Sequence, residues 1–257
     1  DLTMMMHELT QGHQKLRTFV KKALQDIVAT SQEVVVRDVA AKVLRWIDVG
    51  IIVEGSPEVS PFSSAGGLAK VPGQKAEELV RSGLKTYVVS PLYAYKEEVV
   101  VEDEIEVVYR TYIKDDVIAK FGIHYVNVVP QIYMGRHGFV PAAIAYTRRS
   151  GVNYLFLDNP DYADALYGKL RGNTTDKAQK VTNEHEQLRS IFLSLGTLEA
   201  IKQIDIFPSF FVGNDWMCAP LMVHLTCETS LYCNDPHFKD TYTIFFVHNN
   251  GQDYQFR

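Results

Sequence analysis

Residues Val49–Val53 read VGIIV, and a few positions later Ser60–Val71 read SPFSSAGGLAKV. An apolar run of strand length comes first, then small hydroxyl residues and the pair Gly66-Gly67, then an apolar pattern of helical period over Leu68–Val80. A strand, a glycine loop and a helix in that order announce an α/β fold. In an open parallel sheet, ligands lie beyond the carboxyl ends of the strands, and the turn after the first strand points toward them. Glycines there have no Cβ, so a phosphate or sugar can approach the main chain, with the N–H groups of the next helix facing it. A glycine pair also serves as a plain turn. Two nucleotide motifs are excluded: Gly67–Lys75 has five residues between its glycines and Gln74 before the lysine, unlike a P-loop, and nothing here spells G-x-G-x-x-G.

Working outward, apolar runs of strand length occur at Val49–Val53, Thr86–Ser90, Ile105–Tyr112, Val126–Ile132, Val140–Ala145, Tyr154–Leu157, Phe210–Val212 and Thr243–Val247. Helical patterns separate several of them, at Leu68–Val80, Thr182–Ile204 and Trp216–Thr226. Short apolar strands alternating with amphipathic helices imply a mainly parallel sheet with helices on both faces. The span Glu97–Arg148 is denser in strands, with a hairpin expected around Gly135–Gly138 and the acidic run Glu97–Glu106 read as a solvated edge or loop. Residues 1–47 form a helical extension: Leu16, Phe19, Val20, Ala23, Leu24 and Ile27 recur at helical steps, then Val34, Val35, Val39, Val43, Leu44 and Ile47. Its heptads are not sustained, so packing on the domain behind it is expected rather than a coiled coil.

The 257 residues, 46% hydrophobic and 22% charged, suffice for a substantial core. A formal net charge of -5 and a pI near 5.9 give no footprint for nucleic acid or an acidic membrane. No apolar run is long enough to span a bilayer. Three cysteines, Cys218, Cys227 and Cys233, are an odd number and fit a reducing compartment, so Asn173-Thr174-Thr175 is read as a chance match to a glycosylation acceptor. The expected compartment is the cytoplasm, with a plastid as the alternative.

At this point the residues carry a resemblance. SPFSSAGGLAKV followed by Gly83–Tyr93, GLKTYVVSPLY, resembles the opening of bacterial and plant starch and glycogen synthases, K-T-G-G-L-x-D-V and then G-H-x-V-x-V-V-x-P-x-Y. Tyr154–Pro160 is similar to that family's V-x-V-F-x-D-x-P, Leu166-Tyr167-Gly168 to I-Y-G, and Glu186–Arg189 to N-x-L-R. Phe211–Trp216 is similar to the strand ending in N/H-D-W, and Phe246–Asn249 to the strand ending in V-H-N. The pieces keep their order across about 200 residues, more than a chance match of one short motif supplies.

The resemblance implies the amino-terminal, acceptor-side half of a GT-B fold, made of two Rossmann-like domains facing across a cleft. The whole enzyme moves glucose from ADP-glucose or UDP-glucose to the 4-hydroxyl of a glucan end, with retention and without a metal or other cofactor. On that reading the expected domain is 48–257, stopping before its own end and without the donor domain that would hold the nucleotide-sugar. His248 matches the family's active-site histidine, suited to stabilising charge on the sugar as its bond to phosphate breaks. Asp215 matches an acidic residue near the glucan acceptor, and a helix cap at Trp216 is its other role. Gly66, Gly67, Tyr167, Trp216 and Asn249 match substrate-binding positions.

Departures accompany the matches. Ser64 stands where the family has the lysine of K-T-G-G-L, Ala65 replaces the threonine, Lys70 reverses the aspartate, and Met217 replaces the histidine after D-W. A neutral hydroxyl does not replace a phosphate-binding cation; Lys70 leaning back toward that phosphate has no spacing argument behind it. Two readings follow: a glucosyltransferase half with impaired catalysis, and a non-catalytic glucan-binding or protein-interaction module, a pseudoenzyme docked through residues 1–47. Cys218, His224, Cys227, Cys233 and His237 lack a C-x2-C knuckle, so no metal site is expected, and no G-x-S-x-G elbow supports a hydrolase triad.

Overall fold

The computed structural model describes residues 22–24, 26–40, 50–64, 67–102, 105–166 and 176–248, with backbone alone over 97–102, 105–108 and 176–183. Seven strands form the main sheet: Ile51–Gly55 (β1), Lys85–Pro91 (β2), His124–Tyr125 (β5), Ala143–Arg149 (β8), Val152–Asp158 (β9), Phe210–Asn214 (β10) and Tyr242–Phe246 (β11). They lie in the order β11-β10-β1-β2-β9-β8-β5. The five from β11 to β9 are mutually parallel, while β8 runs antiparallel to β9 and to β5. The chain therefore moves from β1 through β2 toward β9, then returns to lay β10 on the other side of β1. That reversal makes a topological switch point between β1 and β10, where an open α/β sheet holds its ligands.

Both faces of the sheet are covered, which is why its strands read as continuous apolar runs. Tyr87, Val89, Leu155 and Leu157 point to a face closed by Asp176–Gln203 (α3) and Ala219–Thr226 (α4), through Phe192, Leu193, Leu198, Ile201 and Leu221. Their neighbours Val88, Tyr154 and Phe156 point the other way, onto Lys70–Arg81 (α1) and Lys114–Phe121 (α2), meeting Ala76 and Phe62. Gly196 lets α3 lie close to the sheet: a Cβ there would come within 2.8 Å of Leu157 and 2.9 Å of Ile132. That contact would require repacking of a dense interior.

The strands and helices expected from apolar runs are present, with instructive differences. The acidic run Glu97–Glu106 is no loop: it belongs to an antiparallel hairpin of Tyr95–Glu102 (β3) and Ile105–Tyr112 (β4). Period-two alternation is hidden there because charged residues occupy both odd and even positions of the sequence. The run Val126–Ile132 is irregular until Gln131–Tyr133 (β6), because Pro130 interrupts it; β6 pairs with Phe139–Pro141 (β7) across a helical turn at Gly135–His137. Gly138, at φ 72°, closes that expected hairpin in the left-handed region open to glycine. Helix α2 was not expected; its C-cap Gly122 has φ 60°. In the extension, residues 26–30 and 34–40 are helical, with Val34, Val35 and Val39 exposed and Ala40 buried. No described helix is long and apolar enough to cross a membrane.

Candidate functional site at the switch point

The loop leaving β1 is buried and held by its own polar groups. Ser56 N–H donates to Val89 O at 3.0 Å, Ser56 Oγ to Glu58 O at 2.7 Å, and Tyr93 Oη to Pro57 O at 2.7 Å, tying the loop to the end of β2. Ser60 N–H then donates to Ala69 O at 2.8 Å, and Gly73 sits so close that a Cβ would lie 2.9 Å from Ser60 O. The loop and the first turns of α1 are thus one rigid unit. Ser64, Gly67 and Lys70 are exposed on it, and a Cβ on Gly67 would meet nothing within 4 Å. The chain itself leaves open the space that this glycine faces. Gly66, Tyr167 and Asn249 lie outside the described residues, as does most of 1–47.

At the end of β10, Asp215 has φ 63° and ψ 176°, a region essentially reserved for glycine. Three hydrogen bonds hold it there. Its N–H donates to Phe246 O at 2.8 Å, its Oδ1 accepts from Trp216 N–H at 2.8 Å, and its carbonyl accepts from Cys218 N–H at 2.9 Å. The cap role of Asp215 is therefore real. The turn after it is clamped by α3, since Ser190 and Ser194 both donate to Met217 O, at 2.9 and 3.3 Å. Strain of this kind persists where the surroundings over-determine it, and it concentrates at functional sites.

His248 follows β11 and is brought to the same place. Its Nε2 lies 3.0 Å from Asn214 Oδ1, and the Asp215 carboxylate is near enough to raise the affinity of the imidazole for a proton. Burial and then Lys75 work against this, and the net effect holds the ring below the ordinary imidazole range. Behind it stands a group that the sequence reading did not single out. Glu54, the penultimate residue of β1, is fully buried; its Oε1 accepts from Asn214 Nδ2 at 2.7 Å and lies 2.8 Å from Lys75 Nζ of α1. Lys75 Nζ also lies 3.3 Å from Asn214 Oδ1 and 4.1 Å from the centre of the Phe246 ring. Burial pushes the Glu54 carboxyl above the usual carboxylate range, against the pull of Lys75 and Asn214. A signal existed: an acidic residue inside an apolar strand covered on both faces must have a partner. Glu54 pairs with Val88 and Val212 in the ladder, so it points toward α1, where Lys75 lies.

The structure therefore brings together His248, Asp215 and Trp216 at one end of the sheet, and adds Glu54, Lys75 and Asn214. The cation that contacts this cluster is Lys75. A separate cavity of about 540 Å³ is lined by Tyr95, Tyr112, Lys114, Asp158 and Asn159, and includes none of these residues. The histidines of α4 and its following loop go to separate partners, His224 to Ser230 and His237 to Asp235 and Asp205. No group of three or more metal-ligating side chains occurs among the described residues.

Comparison with known proteins fits this geometry. The family model described as starch synthase catalytic domain matches residues 52–257. The glycogen synthase of Syntrophotalea carbinolica is 26% identical over 202 residues, covering 78% of this chain and 35% of that protein. Granule-bound starch synthase 1 of Zea mays, chloroplastic/amyloplastic, is 27% identical over 203 residues, covering 75% and 29%. The chain thus spans about a third of the length of these relatives. Among solved structures, the catalytic domain of starch synthase IV from Arabidopsis thaliana, bound to ADP and acarbose, superposes with a TM-score of 0.54 at 17% identity. It covers 78% of this chain and 34% of that one, a likeness of fold. With the family model spanning most of the sequence, from the first central strand onward, the chain belongs to the starch synthase catalytic domain family.

Proposed function

We propose that this chain forms the acceptor-side half of a glucosyltransferase that moves glucose from a nucleotide-glucose onto a 1,4-glucan, with transfer weakened relative to its family. The observation that carries the reading is the meeting of Asp215 and His248 at the switch point, on a strained backbone held by three hydrogen bonds. In the reaction, the bond between glucose C1 and the phosphate oxygen breaks, a bond from C1 to the glucan 4-hydroxyl forms, and the nucleoside diphosphate leaves. His248 would face the sugar, Asp215 and Trp216 the acceptor, and the open space beside Gly67 the close approach of ligand to main chain. The relatives are synthases more than twice as long, so the donor-holding surface is assigned to a further domain like theirs.

A second reading has its own observation. Ser64 and Lys70 replace a cation and an anion of the family motif, which favours glucan binding without transfer. The deciding experiment measures glucose incorporation into maltooligosaccharide from ADP-glucose and UDP-glucose, beside maltoheptaose binding by calorimetry, for the native protein and His248→Ala. Slow transfer lost in His248→Ala supports the first reading, and binding without transfer supports the second. Turnover as fast as in the relatives would sink the impairment, while absence of both transfer and binding would sink the glucan assignment altogether.

A further inference from the structure

The amide of Asn214 has only one workable orientation. One side faces Glu54 Oε1 at 2.7 Å and Gly55 O at 3.0 Å, both acceptors, so Nδ2 with its two hydrogens must lie there. Gly55 O fixes this even when Glu54 is protonated. The Oδ1 atom then faces Lys75 Nζ at 3.3 Å and His248 Nε2 at 3.0 Å. An amide oxygen only accepts, and an ammonium only donates. His248 must therefore carry its hydrogen on Nε2.

We propose that Glu54, Lys75 and Asn214 are positioning residues that lock His248 as a neutral imidazole protonated on Nε2, leaving Nδ1 as an acceptor for a hydroxyl of the ligand. This deepens the functional reading above and rests on it only for the identity of that ligand, a sugar. Neutrality follows first from burial of the ring, and the charges that face it work in opposite directions. Lys75 from α1 shares the same Asn214 oxygen and disfavours a second cation, while Asp215 from the β10 turn favours one. Glu54 from β1 compensates Lys75, and its Oε2 is buried without a hydrogen-bond partner among the described residues, so its ionised form depends on Lys75 and Asn214. Phe246, whose ring centre is 6.2 Å from that of His248, carries Lys75 on its face and keeps the ammonium beside the amide. The imidazole in this setting accepts a hydrogen bond from a sugar hydroxyl through Nδ1; it does not act as a standing cation.

The test needs no substrate. In the native chain labelled with ¹⁵N and ¹³C histidine, the His248 signals are assigned by their loss in His248→Gln, and ring shifts report the tautomer across pH. The expected result is the Nε2–H form in excess by about tenfold, as one net hydrogen bond to a fixed acceptor supplies. Asn214→Leu should bring the two tautomers toward equal populations, and Lys75→Met should raise the titration midpoint of His248. A native ring protonated on Nδ1 overturns the proposal, as does an unchanged tautomer ratio in Asn214→Leu or an unchanged midpoint in Lys75→Met. Where Asn214→Leu fails to fold, the native tautomer and the Lys75→Met midpoint decide. Maltoheptaose binding, measured separately, tests the functional reading, so a locked tautomer without glucan binding fails that reading and not this one.

Discussion

Two buried ion clusters sit on opposite sides of the same sheet and serve different ends. Arg189 of α3 is 4% exposed; it donates to Ala165 O, lies 2.7 Å from Glu186 and 3.9 Å from Asp164, and stands over the Tyr93 ring. Most of these partners belong to α3 itself or to the loop that precedes it. Arginine keeps its charge at any ordinary pH, so the cluster is a permanent staple between that loop and the helix. Glu54, by contrast, gathers Lys75 from α1 and Asn214 from β10, segments far apart in sequence, and its own charge can be titrated. Burial of a charge is therefore not what marks a site. The Glu54 cluster is distinguished by its place at the switch point and by its connection, through one amide, to a half-exposed histidine.

The strongest way to break this contrast is to remove the staple. Arg189→Ala takes the cation from Glu186 and leaves Asp164 with Arg110 at 3.6 Å, and loss of one partner of a buried pair costs about 3–5 kcal/mol. Urea unfolding should show it, while the His248 tautomer in the folded fraction should not change. A stability loss under about 1 kcal/mol would mean that Arg189 behaves as a surface charge and the comparison fails.

Next in size is Lys75→Met, which strands the Glu54 carboxylate and should cost about 3 kcal/mol. The double variant with Glu54→Gln should recover most of that loss, since the stranded charge is then gone. A double-mutant cycle by urea unfolding reads the coupling directly. Strict additivity would show that the 2.8 Å contact contributes nothing.

The sequence made the sheet legible more readily than this chemistry. Apolar runs such as Thr86–Ser90 fix strands because both faces are buried, and the glycine pair follows the first strand at the carboxyl end of the sheet. His248 and Asp215 were legible through the motifs around them, and both lie at the switch point. Glu54 and Lys75 were not, because no motif contains them and their pairing depends on a helix laying position 75 over position 54. Strand β4 was legible as the run Ile105–Tyr112, whereas its partner β3 was not, because charges at Glu97, Glu98 and Glu102 mask its alternation. Helix α2 is too short to show a clear period, and its best marker was Gly122.

The same pair sharpens the comparison through pH. The folded pKa of Glu54 lies above its unfolded value, so its contribution to stability is fully present below the unfolded pKa, near 4.5, and is lost as pH rises through the folded one. Relative to Glu54→Gln, the native chain should therefore lose stability on going from pH 4 upward, whereas relative to Arg189→Ala it should show no such slope from the arginine itself. Paired urea curves across that range check this. A native chain that gains stability over Glu54→Gln with rising pH would reverse the assigned direction.

The smallest effect is read at Cys218, which packs against Gly55 and Gly213. Burial pushes its thiol up to about 12, with Glu54 and Asp215 adding to the rise against a backbone hydrogen bond from Asn214. At pH 8 such a group is thiolate in only about one molecule in ten thousand, so an alkylating reagent should leave it untouched. Cys227 is exposed, and hydrogen bonding with Thr229 lowers its pKa, so it should react first. Peptide mapping after brief labelling separates the two. Glu54→Gln removes one of the charges that hold the Cys218 thiol neutral and should raise its labelling slightly under native conditions, beyond whatever its difference in urea stability accounts for. Arg189→Ala also raises it, but by opening the fold, and that route disappears at low temperature and short times, where opening is rare. Labelling of Cys218 that follows stability alone, with no added response to Glu54→Gln, would place the Glu54 charge out of reach of the crevice and make the two clusters equivalent after all.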